Sequence, residues 1–167
     1  TDAVTKFLPS VAGLLLEREV DTITTVMDNP KRPLMAVIGG AKIADKIDVL
    51  NRFIDIADFL VVGGAMANTF LTAEGIDMGK SLVDTDDIPL AKHIMERAKQ
   101  EAKKRHFVFY LPQDGIAAKK IDSKITTRIV DWDAHVIADV ESYPGRPLRS
   151  ATRIASDEMI LDVGPFS

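Results

Sequence analysis

Apolar residues along the chain follow two rhythms. Val4, Phe7, Leu8, Val11, Leu14, Leu15 and Leu16 fall mainly on one helical face. Pro9 interrupts that face, which predicts a kink or restart with Ser10 as N-cap and a helix running to about Met27. The two prolines of "DNPKRP" then mark a loop. "LMAVI" (34–38) is an unbroken apolar run, too short for a buried helix, and reads as a buried strand. Ile43, Ile47, Leu50 and Ile54 return to helical spacing and predict a helix over about 42–56. "DFLVV" (58–62) is a second buried strand, and "MANTFLTAEG" a short helix closed by Gly75. "DDIPLAKHIMERAKQEAKKR" is an amphipathic helix with acidic residues first and basic residues last, as its dipole favours. "FVFYL" (107–111) is a third buried strand.

Strands alternating with helices imply βαβ units, a parallel sheet and right-handed crossovers. The expected class is α/β: a parallel sheet flanked by helices and preceded by a long N-terminal helix. Beyond residue 112 the rhythm weakens. "KITTRIV", "HVIADV" and "MILDV" alternate well enough for short strands, and "YPGRPLRS" is a turn-rich loop.

Two of the strand runs end alike, in "MAVIGGAKIADK" and "FLVVGGAMAN". A parallel strand that ends in Gly-Gly before a helix turns sharply and leaves no Cβ in the way. Main-chain N–H groups at the helix start can then approach a phosphate or a flat ring. Ligands of open α/β sheets bind at the carboxyl ends of strands, where both phrases fall. Lys42 and Lys46 are spaced i and i+4, so on a helix both ammonium groups could converge on one polyanion, with Asp45 pointing elsewhere. On patterning alone a second reading stays open: tight strand–helix turns followed by a solvated lysine face.

Composition narrows the functional classes. The net charge of −4, from 21 basic and 25 acidic residues, leaves no footprint for wholesale nucleic-acid binding. With no cysteine there is neither a disulfide framework nor thiolate chemistry, which permits a reducing cytosol. No apolar run approaches the roughly 20 residues that span a bilayer, and no signal-peptide pattern opens the chain. The sequence starts at Thr1 and ends just after "DVGPFS", so it reads as a piece of something longer. "GIDMGKS" (75–81) imitates a phosphate-binding loop but has three rather than four residues between its glycines, and it follows a helix. It reads as a surface loop. His93, His106 and His135 have no neighbour at metal-ligand spacing, and Asp84, Asp86 and Asp87 read as a helix-capping cluster. No metal site is expected.

Five phrases in order, "GGAKIADK", "VVGGAMANTFL", "GKSLVD", "FYLPQD" and "LDVGP", together resemble the phosphoglycerate kinase family. "FLPSVAGLLLERE" resembles the long helix joining that enzyme's two domains. The resemblance runs over nearly the whole chain and is weakest over about 117–155. It implies a cytoplasmic, two-domain glycolytic kinase that moves a phosphoryl group between 1,3-bisphosphoglycerate and ADP, giving 3-phosphoglycerate and ATP. Magnesium travels with the nucleotide. The implied layout is an interdomain helix over 1–29 and an incomplete nucleotide-binding α/β domain over 30–167, a partial doubly wound, Rossmann-like parallel sheet. Gly39, Gly40, Ala41, Lys42 and Lys46 would line the nucleotide's phosphate side, and Lys42 would meet the transferring phosphate. Gly63, Gly64 and Ala65 match the floor under the adenine, and Ile160 and Leu161 its opposite wall.

Departures from the family pattern carry expectations of their own. Ala65 replaces a usual glycine, so its methyl is expected to crowd the base or force another φ, and Ile160 thickens the other wall. "WDAHVIADVESYPGRPLRS" has no counterpart. The family's Trp-Asn-Gly-Pro and Gly-Gly-Asp-Thr turns, its late glycine-rich segment and its phosphoglycerate-binding domain do not occur, so the protein ligand of the nucleotide's magnesium is missing. The 167 residues alone are therefore expected to be inactive. They are also expected to self-associate through an uncovered sheet edge. Two other classes compete: a non-catalytic nucleotide- or phosphate-binding module, and a structural fragment without ligand.

Overall fold

The computed structural model describes residues 2–121, 126–132 and 154–164. The chain divides into two compact units, Thr1–Arg32 and Pro33–Ser167. In the first, a 3-10 turn over Asp2–Lys6 precedes α1 (Leu14–Asp28). The N-cap is Gly13 rather than the expected Ser10. Pro9 sits in the irregular stretch before it, where a missing N–H breaks no helical bond. Leu14, Leu15, Val20 and Ile23 of α1 are exposed.

The second unit holds the expected parallel sheet, ordered β1-β2-β3 over Met35–Gly39, Phe59–Gly63 and Val108–Tyr110. β1 and β2 pair in register from Met35↔Phe59 to Gly39↔Gly63, so the two Gly-Gly phrases end side by side. Helices α2 (Ile47–Ile56), α3 (Gly64–Ala73) and α4 (Ile88–Ala102) follow in chain order. Strand alternation turns Ala36, Ile38, Leu60, Val62 and Phe109 into one core with Leu50, Ile54, Met66, Phe70, Ile94 and Met95. Leu50 and Ile54 are wholly buried. Truncating either to Ala removes about 2–5 kcal/mol. Met35 and Val37, on the opposite side of β1, are exposed, which corrects the expectation of a buried strand: β1 alternates in and out and buries one face only.

The helix expected over 42–56 needs a correction. Ala44–Lys46 forms a short 3-10 turn, and Lys46 leaves helical geometry at φ −127°, ψ 13° before α2 starts at Ile47. Lys42 and Lys46 therefore do not share a continuous helical face. At the other end of α2, the Arg105 guanidinium donates to the Ile54 and Ala57 carbonyls, satisfying acceptors that the helix end leaves open.

Residues 112–164 hold a second sheet that periodicity only half foresaw. β4 (Asp114–Ala118), β5 (Arg128–Asp131) and β6 (Met159–Gly164) run antiparallel in the order β5-β4-β6. β6 is the strand expected from "MILDV", and β5 closes "KITTRIV". β4 escaped notice because Asp-Gly-Ile-Ala-Ala has neither alternation nor β-branched density; four of its five residues are buried. "HVIADV" and "YPGRPLRS" lie outside the described residues. Across β4 and β6, Ala117 pairs with Ile160 but Ile116 with Asp162, so Leu161 is the extra residue of a bulge.

Candidate functional site

The site is built where β1 and β2 stop. Gly64 adopts φ +66°, and a Cβ there would lie 3.1 Å from the Gly40 nitrogen and 3.2 Å from its oxygen. Only glycine fits. The Met66 N–H donates to the Gly40 carbonyl at 2.7 Å, so the start of α3 is capped by the other turn's backbone. The expected reason for this glycine, room for a ligand, is thus joined by a stronger one: room for the neighbouring turn. Gly63 meets no such contact, since a Cβ there finds no heavy atom within 4 Å.

The lysines are held differently. Lys46, half-buried, folds back over Gly40: its Nζ lies 3.0 Å, and its Cε 3.5 Å, from the point a Gly40 Cβ would occupy. Its ammonium thus sits at the end of β1. Lys42 is exposed, and its Nζ lies 4.0 Å from Asp84 Oδ2. Gly39, Gly40, Ala41, Lys42, Lys46, Gly63, Gly64 and Ala65 all gather at the two paired strand ends. Ala65 is half-buried in the first turn of α3, and among the described residues positive φ occurs only at glycines. Ala65 therefore sits in this turn without a left-handed backbone.

A loop that patterning assigned to capping organises this corner. Asp87 is the N-cap residue of α4, yet its side chain makes no cap bond to its own helix. Its Oδ2 instead accepts from Ile43 N at 2.9 Å and Ala44 N at 3.0 Å, the amides that open the lysine turn. Asp84 N donates to Thr69 Oγ1 at 3.1 Å, and Asn68 Nδ2 to the Leu82 carbonyl at 3.0 Å, which sews the loop to α3. The acidic spacing alone signalled capping; which helix it caps could not be read from it.

The "GIDMGKS" loop is more than a surface turn. A Cβ on Gly79 would lie 2.5 Å from the Glu158 carbonyl oxygen and 2.8 Å from that of Ala155, so the loop packs backbone to backbone on the approach to β6. Lys80 N donates to the Glu158 carbonyl at 2.7 Å, and Ile160 N to Ser81 Oγ at 2.9 Å. Ile160 packs partly buried against the core; of Leu161 the backbone alone is described. Glu158 accepts two bonds from Arg128, at 2.9 and 2.5 Å, and one from Ala155 N at 2.9 Å. The Arg128 guanidinium, then the Ala155 N–H, hold its carboxyl down at about 2.

These features define an open α/β domain with two glycine turns and an ammonium group at adjacent strand ends, the place where such sheets bind ligands. The comparisons name the family. The sequence model of phosphoglycerate kinase matches residues 1–167. A phosphoglycerate kinase from Roseiflexus sp. (strain RS-1) is 42% identical over 130 residues, 78% of this chain and 32% of that protein. One from Bdellovibrio bacteriovorus is 41% identical over 165 residues, 96% of this chain and 35% of that protein. The solved structure of phosphoglycerate kinase from Coxiella burnetii superposes with a TM-score of 0.69 at 35% identity, covering 92% of this chain and 34% of that one. The chain belongs to the phosphoglycerate kinase family, and it spans about a third of the length of these relatives.

Proposed function

We propose that this chain forms the nucleotide side of a phosphoglycerate kinase, which transfers a phosphoryl group between 1,3-bisphosphoglycerate and ADP in the cytoplasm. The observation that carries the reading is the Lys46 ammonium folded over Gly40 at the paired ends of β1 and β2. In this reading Lys46 holds the nucleotide phosphates, and the Gly39–Ala41 backbone approaches them without a side chain in the way. Lys42, exposed and only 4.0 Å from Asp84 at its Nζ, meets the transferring group. Its contribution is electrostatic, because a loose phosphoryl-transfer transition state spreads charge over equatorial oxygens and asks for fixed positive partners. Gly63, Gly64 and Ala65 support one face of the adenine, and Ile160 and Leu161 the other. Magnesium arrives with the nucleotide.

In the same proposal residues 1–29 are the interdomain helix, residues 30–167 belong to the nucleotide domain, and the phosphoglycerate is held by residues beyond these 167. The 167-residue chain is expected to bind Mg-ADP without turning over, and to self-associate through the uncovered sheet edge, with Met35 and Val37 of β1 exposed on the adjoining face. Calorimetric titration with Mg-ADP tests the site: measurable binding that Lys46→Ala weakens supports it, and silence from the wild-type chain sinks it. ATP formation from 1,3-bisphosphoglycerate by the purified chain overturns the expectation of inactivity, and a clean monomer in sedimentation at high concentration overturns the self-association. A non-catalytic binding module is the second reading, favoured by the half-buried Ala65 methyl at the expected adenine floor. It is distinguished by a full-length parent that binds ADP and never transfers phosphate.

A further inference from the structure

We propose that Asp87 is a positioning residue for the phosphate-binding turn, acting from another segment of the chain to hold the backbone between Lys42 and Lys46; this rests on the nucleotide reading above. Asp87 stands at the N-cap of α4, where an aspartate ordinarily accepts from its own helix's second or third amide. Here it makes no such bond. Its Oδ2 takes both the Ile43 and the Ala44 N–H, at 2.9 and 3.0 Å, across 44 and 43 residues of sequence. These amides lie between the two lysines, in the segment where the chain fails to continue as regular helix. One carboxylate oxygen thus anchors the backbone that carries both cations. The loop bearing it is itself fastened to α3 through Thr69 and Asn68, and α3 begins at the second glycine turn. The anchor is therefore referenced to the same strand ends that receive the ligand.

The sign of the effect separates positioning from simple charge. A carboxylate beside a phosphate site repels the anion, so removing a passive Asp87 charge raises affinity for a nucleotide. Removing an anchor lowers it, because the lysines then sample geometries that do not converge. The test is Mg-ADP titration of the 167-residue chain and its Asp87→Ala and Asp87→Asn variants, with amide hydrogen exchange at Ile43 and Ala44. Asp87→Ala is expected to weaken ADP about fivefold and to speed exchange at those two amides while the core amides of β2 stay protected. Asp87→Asn, whose amide oxygen still accepts, is expected to restore most of the affinity. A wild-type chain that binds with Asp87→Ala equal to it or tighter overturns the positioning role and leaves the nucleotide site standing. A wild-type chain that does not bind ADP overturns the nucleotide reading and this proposal with it. Where Asp87→Ala unfolds, the wild-type chain decides: Ile43 and Ala44 amides that exchange as fast as exposed loop amides overturn the role.

Discussion

The two glycine turns begin as near copies and end as different devices. Both close a parallel strand, β2 buried on both faces and β1 on one, and Gly39 pairs with Gly63 across the sheet. After the second, α3 starts at once from Gly64, and one of its first amides is satisfied by the Gly40 carbonyl. After the first, the chain runs irregularly through Lys42, makes a short 3-10 turn and reaches helix only at Ile47. Its opening amides are satisfied by a carboxylate from a distant loop. The second turn is packed on the first and bonded to it; the first is completed by nothing local. One serves as a foundation, and the other carries the cations.

The sharpest way to break this comparison is to put a methyl on each turn. Gly64→Ala must hold a left-handed φ and press its Cβ against the Gly40 backbone, which costs roughly 2–4 kcal/mol. Gly63→Ala has open space and extended φ, and is expected to change stability by less than about 1 kcal/mol. Urea unfolding midpoints of the two variants measure the contrast directly. Equal losses remove the claim that Gly64 exists for turn-on-turn packing.

Next in size is a change in binding rather than in folding. Lys46→Ala takes away the ammonium at the end of β1 and is expected to weaken Mg-ADP about tenfold, with the unfolding midpoint little moved. A variant that unfolds instead shows that Lys46 acts as part of the foundation.

These contrasts also show what the sequence could and could not convey. The parallel strands were legible because short apolar runs such as Leu34–Ile38 and "DFLVV" favour strand over helix, although β1 buries only one face of its run. The glycine turns were legible because glycine is costly elsewhere. The unwinding at Lys46 was not, since Ile43, Ile47, Leu50 and Ile54 keep helical spacing through it. Spacing records which side chains are buried, and Ile43 is buried whether or not the backbone beneath it is helical. Asp87 was legible as a cap but not as the cap of another helix, because that partnership is set by tertiary structure 43 residues away. β4 was hidden for the opposite reason: its small residues are buried by what packs on them, not by any pattern of their own.

A subtler test concerns the loop that supports the open turn. Its base rests on the backbone of Glu158, whose carboxyl is held at about 2, first by Arg128 and then by the Ala155 N–H. The ordinary value is 4.5, so the folded state favours the ionised form. Its stabilisation is complete above about pH 4.5 and is lost as the pH falls through about 2. Wild type is therefore expected to exceed Glu158→Gln in unfolding midpoint at neutral pH, with the gap closing between about pH 4.5 and pH 2. A gap that does not change with pH assigns the pair no part in holding the loop's base.

The smallest expected effect bears on whether the second turn, besides being a foundation, also faces the ligand. Ala65 is the second residue of α3, half-buried and without positive φ, so its methyl costs the backbone nothing. Ala65→Gly loosens a helix start and is expected to lower stability by less than about 1 kcal/mol. If adenine lies against this turn, the same substitution deepens the floor by a methyl and strengthens Mg-ADP by a few-fold, about the worth of one methyl group in a pocket. Inorganic pyrophosphate, which lacks the base, is expected to bind both forms equally. Opposite movements of stability and ADP affinity, with pyrophosphate unchanged, place the base on the second turn and the phosphates on the first. Unchanged ADP affinity leaves the second turn as foundation alone, and the base must then rest on other residues.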